Sequence, residues 1–280
     1  MSQAPGWPLA TGTLADPAVR RQALSGKVAV VTGASRGLGA GLAAHFAAAG
    51  LELGLCARHR PELAVATRPR AHDGVVEPAT PALCQAVDVA DHGQLEAFAS
   101  AVVERFGRID LWVNNAGLLE PMGPLADARP AALARLVEVN VTGVLFGSAV
   151  FARHVRARPG GGVLVNISSG AATRPYAGWA PYGASKAAVE LATEVVALEG
   201  RPDGLAAYAV SPGVVDTDMQ AAVRATPAER FPEVGRFLQL HDDGAFTPAA
   251  EVAERLLELA FAGPRPEVVR LRVPPPGPGR

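Results

Sequence analysis

The chain has 280 residues, a formal net charge of -1 and 49% hydrophobic residues. That length suits one large α/β domain, and a near-neutral charge with scattered arginines excludes the basic stripe of a nucleic-acid binder. Only Cys56 and Cys84 occur, with no CxxC pair, and the six histidines are dispersed without HExxH spacing, so no metal site or disulfide framework is expected and a reducing cytoplasm is the expected setting.

Residues 1–25 mix Pro, Gly and small polar residues without periodicity and are expected to form a loose, flexible extension. The pair Arg20-Arg21 reads as a solvated charge pair, because the apolar run after it, Val28 to Val31, is too short for an export signal. No uncharged apolar run reaches the roughly 18 residues of a membrane span, so no membrane partner is expected.

Val28 to Thr32 reads as a buried strand stopped by Gly33, residues 38–49 as a helix, and Leu51 to Ala57 as the second strand. Residues 59–83 stay ambiguous between a loop and a broken helix. A third strand is expected at Ala86 to Val89. A helix follows over 91–106, with Leu95, Phe98, Val102 and Phe106 on one stripe. Further strands are expected at Leu111 to Asn114, Val163 to Ile167, Leu205 to Val210 and Val268 to Val273. Helices are expected at 130–156, 181–199 and 249–262. The tail, 274–280, is Pro-rich and irregular. Strands alternating with helices predict a single Rossmann-type domain over 26–273, a doubly wound parallel sheet flanked by helices. Ligands bind such sheets beyond the carboxyl ends of the strands.

Gly33-Ala34-Ser35-Arg36-Gly37-Leu38-Gly39 follows the first strand and opens a helix. Glycines there let the backbone turn tightly and approach a pyrophosphate at the helix N-terminus, although a plain Gly-rich turn has the same composition. The end of the second strand, Leu55-Cys56-Ala57-Arg58, carries no acid for a ribose hydroxyl. Arg36 and Arg58 could instead grip a 2′-phosphate, which favours NADP(H) over NAD(H).

Tyr182 and Lys186 stand four residues apart at a helix start and share a face. Lys27 and Lys186 are the only lysines in a chain that otherwise uses arginine, which asks what an ammonium supplies that a guanidinium does not. A free phenol, with a pKa of about 10, is too weak an acid for efficient work near neutrality, and a nearby ammonium is expected to lower it. Ser168 and Ser169 follow a strand, where a hydroxyl can donate to a developing alkoxide or simply cap a turn.

Taken in order, these motifs resemble the short-chain dehydrogenases/reductases over roughly residues 26–220. They are Thr32 to Gly39, Asp88-Val89, Asn114-Asn115-Ala116-Gly117, Asn140, Asn166 to Ser169, Tyr182 to Lys186, and Ser211 to Thr217. The resemblance implies that Asp88 and Val89 hold the adenine and that Asn115, Ala116 and Gly117 line the cofactor. It further implies that Asn140 holds a water linking Lys186 to solvent, that Ser169 polarises a carbonyl and that Tyr182 delivers the proton. Pro212, Gly213, Val215 and Thr217 would cover the nicotinamide. Gly178 to Tyr182 and Asp216 to Gln220 are similar to the sepiapterin reductase and benzil reductase group. The pterin-anchoring aspartate of the former has no counterpart in 266–272, where Glu267 is the available acid.

The expected activity is therefore NADPH-dependent reduction of a ketone or diketone. The alternatives are a pterin reductase, an alcohol dehydrogenase running oxidatively, and a non-enzymatic NADP(H) sensor. The resemblance also implies a homodimer or homotetramer joined through the helices at 130–156 and 181–199. Residues 220–247, with Phe231, Phe237, Leu238 and Leu240, are read either as a substrate lid or as a surface hairpin.

Overall fold

The computed structural model describes Trp7, Leu14 and residues 16–62 and 81–275. Its centre is a seven-stranded parallel sheet in the order β3-β2-β1-β4-β5-β6-β7. The strands are β1 (Val28–Thr32), β2 (Glu52–Ala57), β3 (Ala82–Ala86), β4 (Leu111–Asn114), β5 (Gly162–Ile167), β6 (Leu205–Ser211) and β7 (Arg270–Arg272). The helices are α1 (Pro17–Leu24), α2 (Gly37–Ala49), α3 (His92–Phe106), α4 (Pro130–Val137), α5 (Gly143–Arg156), α6 (Ala180–Gly200), α7 (Asp218–Arg224), α8 (Val234–Asp242) and α9 (Ala249–Phe261). The doubly wound fold expected from the alternating pattern is the fold observed.

Alternate residues of β1 feed two cores, as strand pleating requires. Ala29 and Val31 pack with Leu42 and Phe46 of α2 and Leu256 of α9. Val28 and Val30 pack with Phe98 of α3 and Phe151 of α5. The sheet order reverses between β1 and β4, which pair on opposite sides with β2 and β5. The splayed connections there open a cleft at the carboxyl edge.

Four expectations are corrected. The N-terminal extension is not wholly loose: Asp16 caps α1 by accepting from the amides of Ala18 and Val19, and Leu14 and Leu24 are buried in the first core. The signal was present in Asp16-Pro17, an N-cap followed by proline at the first helical position. The third strand runs over Ala82–Ala86 rather than Ala86 to Val89, because pairing with β2 sets its register from Leu53↔Ala82 to Ala57↔Ala86. Val87 and Val89 are buried by the second core as loop residues, so their apolar character marks packing and not pairing. The helix expected over 130–156 is interrupted by a π-turn at Glu138–Thr142 between α4 and α5. The last strand is shortened to Arg270–Arg272. Most of the ambiguous stretch 59–83, and the tail after 275, lie outside the described residues.

The 130–156 segment is long and apolar enough to span a bilayer by composition alone. Its packing accounts for that character: Leu136, Val144, Phe151 and Val155 are buried, and Asn140 in its middle is fully enclosed. Beneath it lies a polar network. Asn114 on β4 and Asn166 on β5 are register partners joined by a 2.8 Å hydrogen bond. Trp112 Nε1 donates to Asn114 Oδ1, Asn114 donates to Ser148, and Asn166 donates to Thr193 on α6. Buried amides must find such partners, and these tie both helices to the central strands.

Candidate active site

The nucleotide-sized cleft, about 770 Å³, runs along the carboxyl edge of the sheet. The predicted residues Gly33, Ser35, Arg36, Gly37, Leu38, Gly39, Arg58, Asp88, Val89, Asn115, Ala116, Gly117, Ser169, Tyr182, Lys186, Pro212, Gly213, Val215 and Thr217 all line it. Asn140 stands one layer behind.

The Gly-rich turn has specific steric requirements. Gly33 adopts φ +67°, and a Cβ there would lie 2.7 Å from the Cα of Ala116. A Cβ on Gly39 would lie 2.3 Å from the carbonyl oxygen of Gly33, so the helix start packs directly against the turn. No side chain caps the first turn of α2, which leaves its amides available to an anion. This uncapped helix start, walled by Thr217 close to Gly37, fits the pyrophosphate of a dinucleotide. Arg36 reaches across the cleft to Asp218, 3.3 Å away, with both side chains largely exposed. Asp88 accepts from Arg135 at 2.6 Å and from the amide of Ala90. Its burial opposes ionisation, but these two bonds outweigh it and hold the carboxyl below its ordinary range.

Three side chains converge at the other end. Pro181 in the first turn of α6 places Tyr182 at its start, and the helix carries Lys186 inward one turn later. The tyrosine and the lysine are both buried, and the Lys186 ammonium lies 5.7 Å from the centre of the Tyr182 ring. Lys186 donates to the carbonyl of Ile167 at 2.8 Å, at the end of β5. Ser169, just beyond that strand, hydrogen-bonds the Tyr182 phenol. Its neighbour Ser168 turns away and donates to Glu190 on α6. The residues alone left both serines open, the family resemblance implied Ser169, and Ser169 is the one that meets Tyr182.

Electrostatics differ from the sequence expectation. Burial pushes the Tyr182 phenol above its ordinary value, and the Ser169 hydrogen bond draws it part of the way back. Burial also lowers Lys186 to about 8. The expected lowering of the phenol by its neighbour is not found: the phenol moves up, because both groups sit where water cannot solvate a charge. Near pH 7 the phenol therefore retains its proton, and Lys186 remains mostly charged.

Asn140 occupies the π-turn and acts as a brace. Its Oδ1 accepts from the amide of Leu118, and its Nδ2 donates to the carbonyl of Leu118 and to Ser185. These bonds fix the backbone beside Gly117, close to Lys186. A helix interrupted in this way opens main-chain carbonyls for other partners.

The 220–247 segment is packed down. Phe231 stacks on Trp179 with centroids 4.6 Å apart, and Trp179 meets Tyr182 edge-on at 5.6 Å. Tyr176 and Phe237 complete this aromatic cluster. No motif or spacing pointed Tyr176, Arg236 or Arg272 to the cleft, yet all three line it. Glu267 is exposed and away from it.

Comparison with known proteins agrees with this geometry. Residues 27–228 match the family described as short chain dehydrogenase. The chain is 36% identical over 207 residues to 3beta-hydroxysteroid dehydrogenase 1 of Eggerthella lenta, covering 74% of this chain and 77% of that one. It is 31% identical over 244 residues to a benzil reductase ((S)-benzoin forming) of Saccharomyces cerevisiae, covering 83% and 91%. The crystal structure of the KRED1-Pglu enzyme superposes with a TM-score of 0.73 at 32% identity, covering 88% of this chain and 99% of that one.

The sign of the lysine shift gives a direct test. In the cofactor-free protein the Lys186 amine should lose its proton near pH 8, well before an ordinary lysine at about 10.4. The folded state then releases this proton before the unfolded chain does, so stability rises with pH across that interval. A 13C NMR titration of lysine-labelled protein, with Lys27→Arg for assignment, checks this. A Lys186 midpoint above 10 would contradict it.

Proposed function

The chain belongs to the short chain dehydrogenase family, and from that premise we propose that it is an NADPH-dependent carbonyl reductase acting on a ketone or diketone. The observation that carries this reading is the Ser169–Tyr182–Lys186 cluster at one end of a cleft whose other end is an uncapped glycine-rich helix start. Gly33, Ser35, Gly37, Leu38 and Gly39 would hold the pyrophosphate. Asp88 and Val89 would flank the adenine. Asn115, Ala116, Gly117, Pro212, Gly213, Val215 and Thr217 would enclose the nicotinamide half. Arg36 and Arg58 line the cleft where the 2′-phosphate would lie, and no acid stands at the end of β2 to repel it.

A dihydronicotinamide held in this cleft would supply the hydride. The protein's own part is proton delivery and charge control. Ser169 donates to the carbonyl oxygen and fixes it beside Tyr182. The Tyr182 phenol, kept protonated by burial, gives its proton to the oxygen as negative charge builds there. Lys186 would provide the positive charge that stabilises the resulting phenolate and would bond a ribose hydroxyl. Asn140 holds the Leu118 backbone and, through its π-turn, the position of a water that would reload the lysine. The similarity to a benzil reductase supports a diketone, and the exposed, distant position of Glu267 favours it over a pterin.

The assembly we propose is a homodimer or homotetramer. Val137, Leu145, Leu191, Val195 and Leu198 expose large apolar side chains on α4, α5 and α6. Such surface on adjoining helices is suited to a second copy of the chain. Small-molecule reduction in the cytoplasm is the proposed setting, and neither cysteine is in a disulfide.

Three measurements follow. Tyr182→Phe should lower kcat by roughly 10²- to 10⁴-fold while NADPH binding, read by fluorescence, persists. Loss of cofactor binding instead would point to a structural role. Wild-type protein should use NADPH in preference to NADH, and Arg58→Asp should reverse that order in kcat/KM; an NADH preference in the wild type would refute the cofactor assignment. Leu191→Glu combined with Leu198→Glu should shift the protein towards monomer by light scattering, whereas an unchanged mass would place the interface elsewhere.

A further inference from the structure

Strand β7 brings a second function-bearing residue to the cleft. Residues two apart on a strand share a face, so Arg272 leaves β7 on the same side of the sheet as Arg270. Arg270 is fully engaged there, with both Glu194 oxygens at 2.8 Å and Glu190 at 3.4 Å. Arg272 lies one pleat nearer the carboxyl edge, in register with Ser211, immediately before the Pro212 to Thr217 segment. It lines the same cleft as Ser169 and Tyr182. Its Nη2 lies 3.9 Å from the position of a Cβ on Gly170, the residue that follows Ser169. It is exposed and makes no hydrogen bond or ion pair among the described residues.

The charges around it are unbalanced. Asp88 is bound to Arg135 and Asp218 to Arg36. At the substrate end Arg236 and Arg272 face the cleft with one carboxylate, Glu120, whose Oε2 already accepts from the amide of Met122. Arg236 spends one donor on the Tyr176 hydroxyl at 2.8 Å. The rings of Tyr176, Trp179 and Phe237, packed on one another, line the same cleft as the two guanidinium groups. A ligand with an apolar body and an anionic end matches this surface, since a guanidinium binds a carboxylate through two parallel hydrogen bonds.

Resting on the carbonyl-reductase reading, we propose that Arg272 selects substrates bearing an acidic group, a keto acid whose carboxylate lies a few bonds from the reacting carbonyl. The span is bounded by the chain itself. Gly170 adjoins Ser169, and consecutive Cα atoms are about 3.8 Å apart, which bounds the separation of the guanidinium from the carbonyl-binding hydroxyl at roughly 12 Å and makes the spacer the variable to test. Arg272 acts as a specificity residue and takes no part in proton transfer.

The test compares aryl keto acids of differing spacer length with their methyl esters, using the full chain, NADPH and low salt, with benzil as a neutral reference. At the best spacer the acid should exceed its ester in kcat/KM by about tenfold or more, the rough worth of one charge-assisted pair. Added salt should shrink that ratio. Arg272→Gln should bring the ratio close to unity, Arg272→Lys should keep part of it, and NADPH fluorescence should confirm that both variants are folded. Equal use of acid and ester by the wild type at every spacer, or an unchanged ratio in Arg272→Gln, would overturn the proposal. If benzil and the esters are reduced without any preference for acids, only the role of Arg272 fails. If no carbonyl compound is reduced at all, the function proposed above fails with it.

Discussion

The carboxyl edge of the sheet is held together by one reciprocal set of hydrogen bonds between β1 and the loop after β4. The Thr32 hydroxyl accepts from the amides of Asn115 and Ala116. The Asn115 side chain donates back to the carbonyls of Thr32 and Gly33. Strand pairing alone would align β1 and β4 but leave their ends free to splay. These bonds fix the Gly-rich turn against the Asn115 to Gly117 loop, with Gly33 touching Ala116 across a gap that admits no side chain. Everything in the cleft is positioned from that junction: the α2 N-terminus on one side, Asn140 and Lys186 beside Gly117 on the other.

A second set of buried bonds carries that order into the helices. Asn114 and Asn166 link β4 to β5 and pass on to Ser148 and Thr193. Ser168 continues the line through Glu190 to Arg270. Each satisfied bond contributes only about 1 kcal/mol net, but each orphaned buried group would cost roughly 1–3 kcal/mol. The network therefore acts mainly by penalising misplacement. Its consequence for the site is specific: Ser168 is held away from the cleft, so Ser169 alone meets Tyr182.

Burial at the site has opposite effects on its two titrating groups. Lys186 is moved towards neutrality, to about 8, and Tyr182 away from it. The shared cause is desolvation of a charged form. A phenol that keeps its proton until a developing alkoxide demands it suits reduction, and Phe231 and Phe237 of the 220–247 segment pack with Trp179 beside it.

Much of the fold was legible in the chain because its signals are local. Val28 to Thr32 followed by glycines, the strand-helix alternation and the Tyr182–Lys186 spacing depend on residues within a few positions of one another. Asp16-Pro17 was equally local, and α1 could have been read from it. The β3 register was not legible, since Ala82–Ala86 lacks β-branched residues and its position is set by β2. The buried Val87 and Val89 imitate a strand for the same reason: apolar character reports enclosure, not the partner that provides it.

What the sequence determined by itself was the class of fold, the Gly-rich turn after the first strand and the shared face of Tyr182 and Lys186, because backbone propensity and side-chain type are properties of short segments. What only tertiary structure decided was that Ser168 turns away to Glu190, which way burial moves the phenol and the lysine, and that Arg272 shares a cleft with Ser169. Those outcomes depend on the relative placement of strands separated by about a hundred positions, and on how little water the folded chain leaves between them.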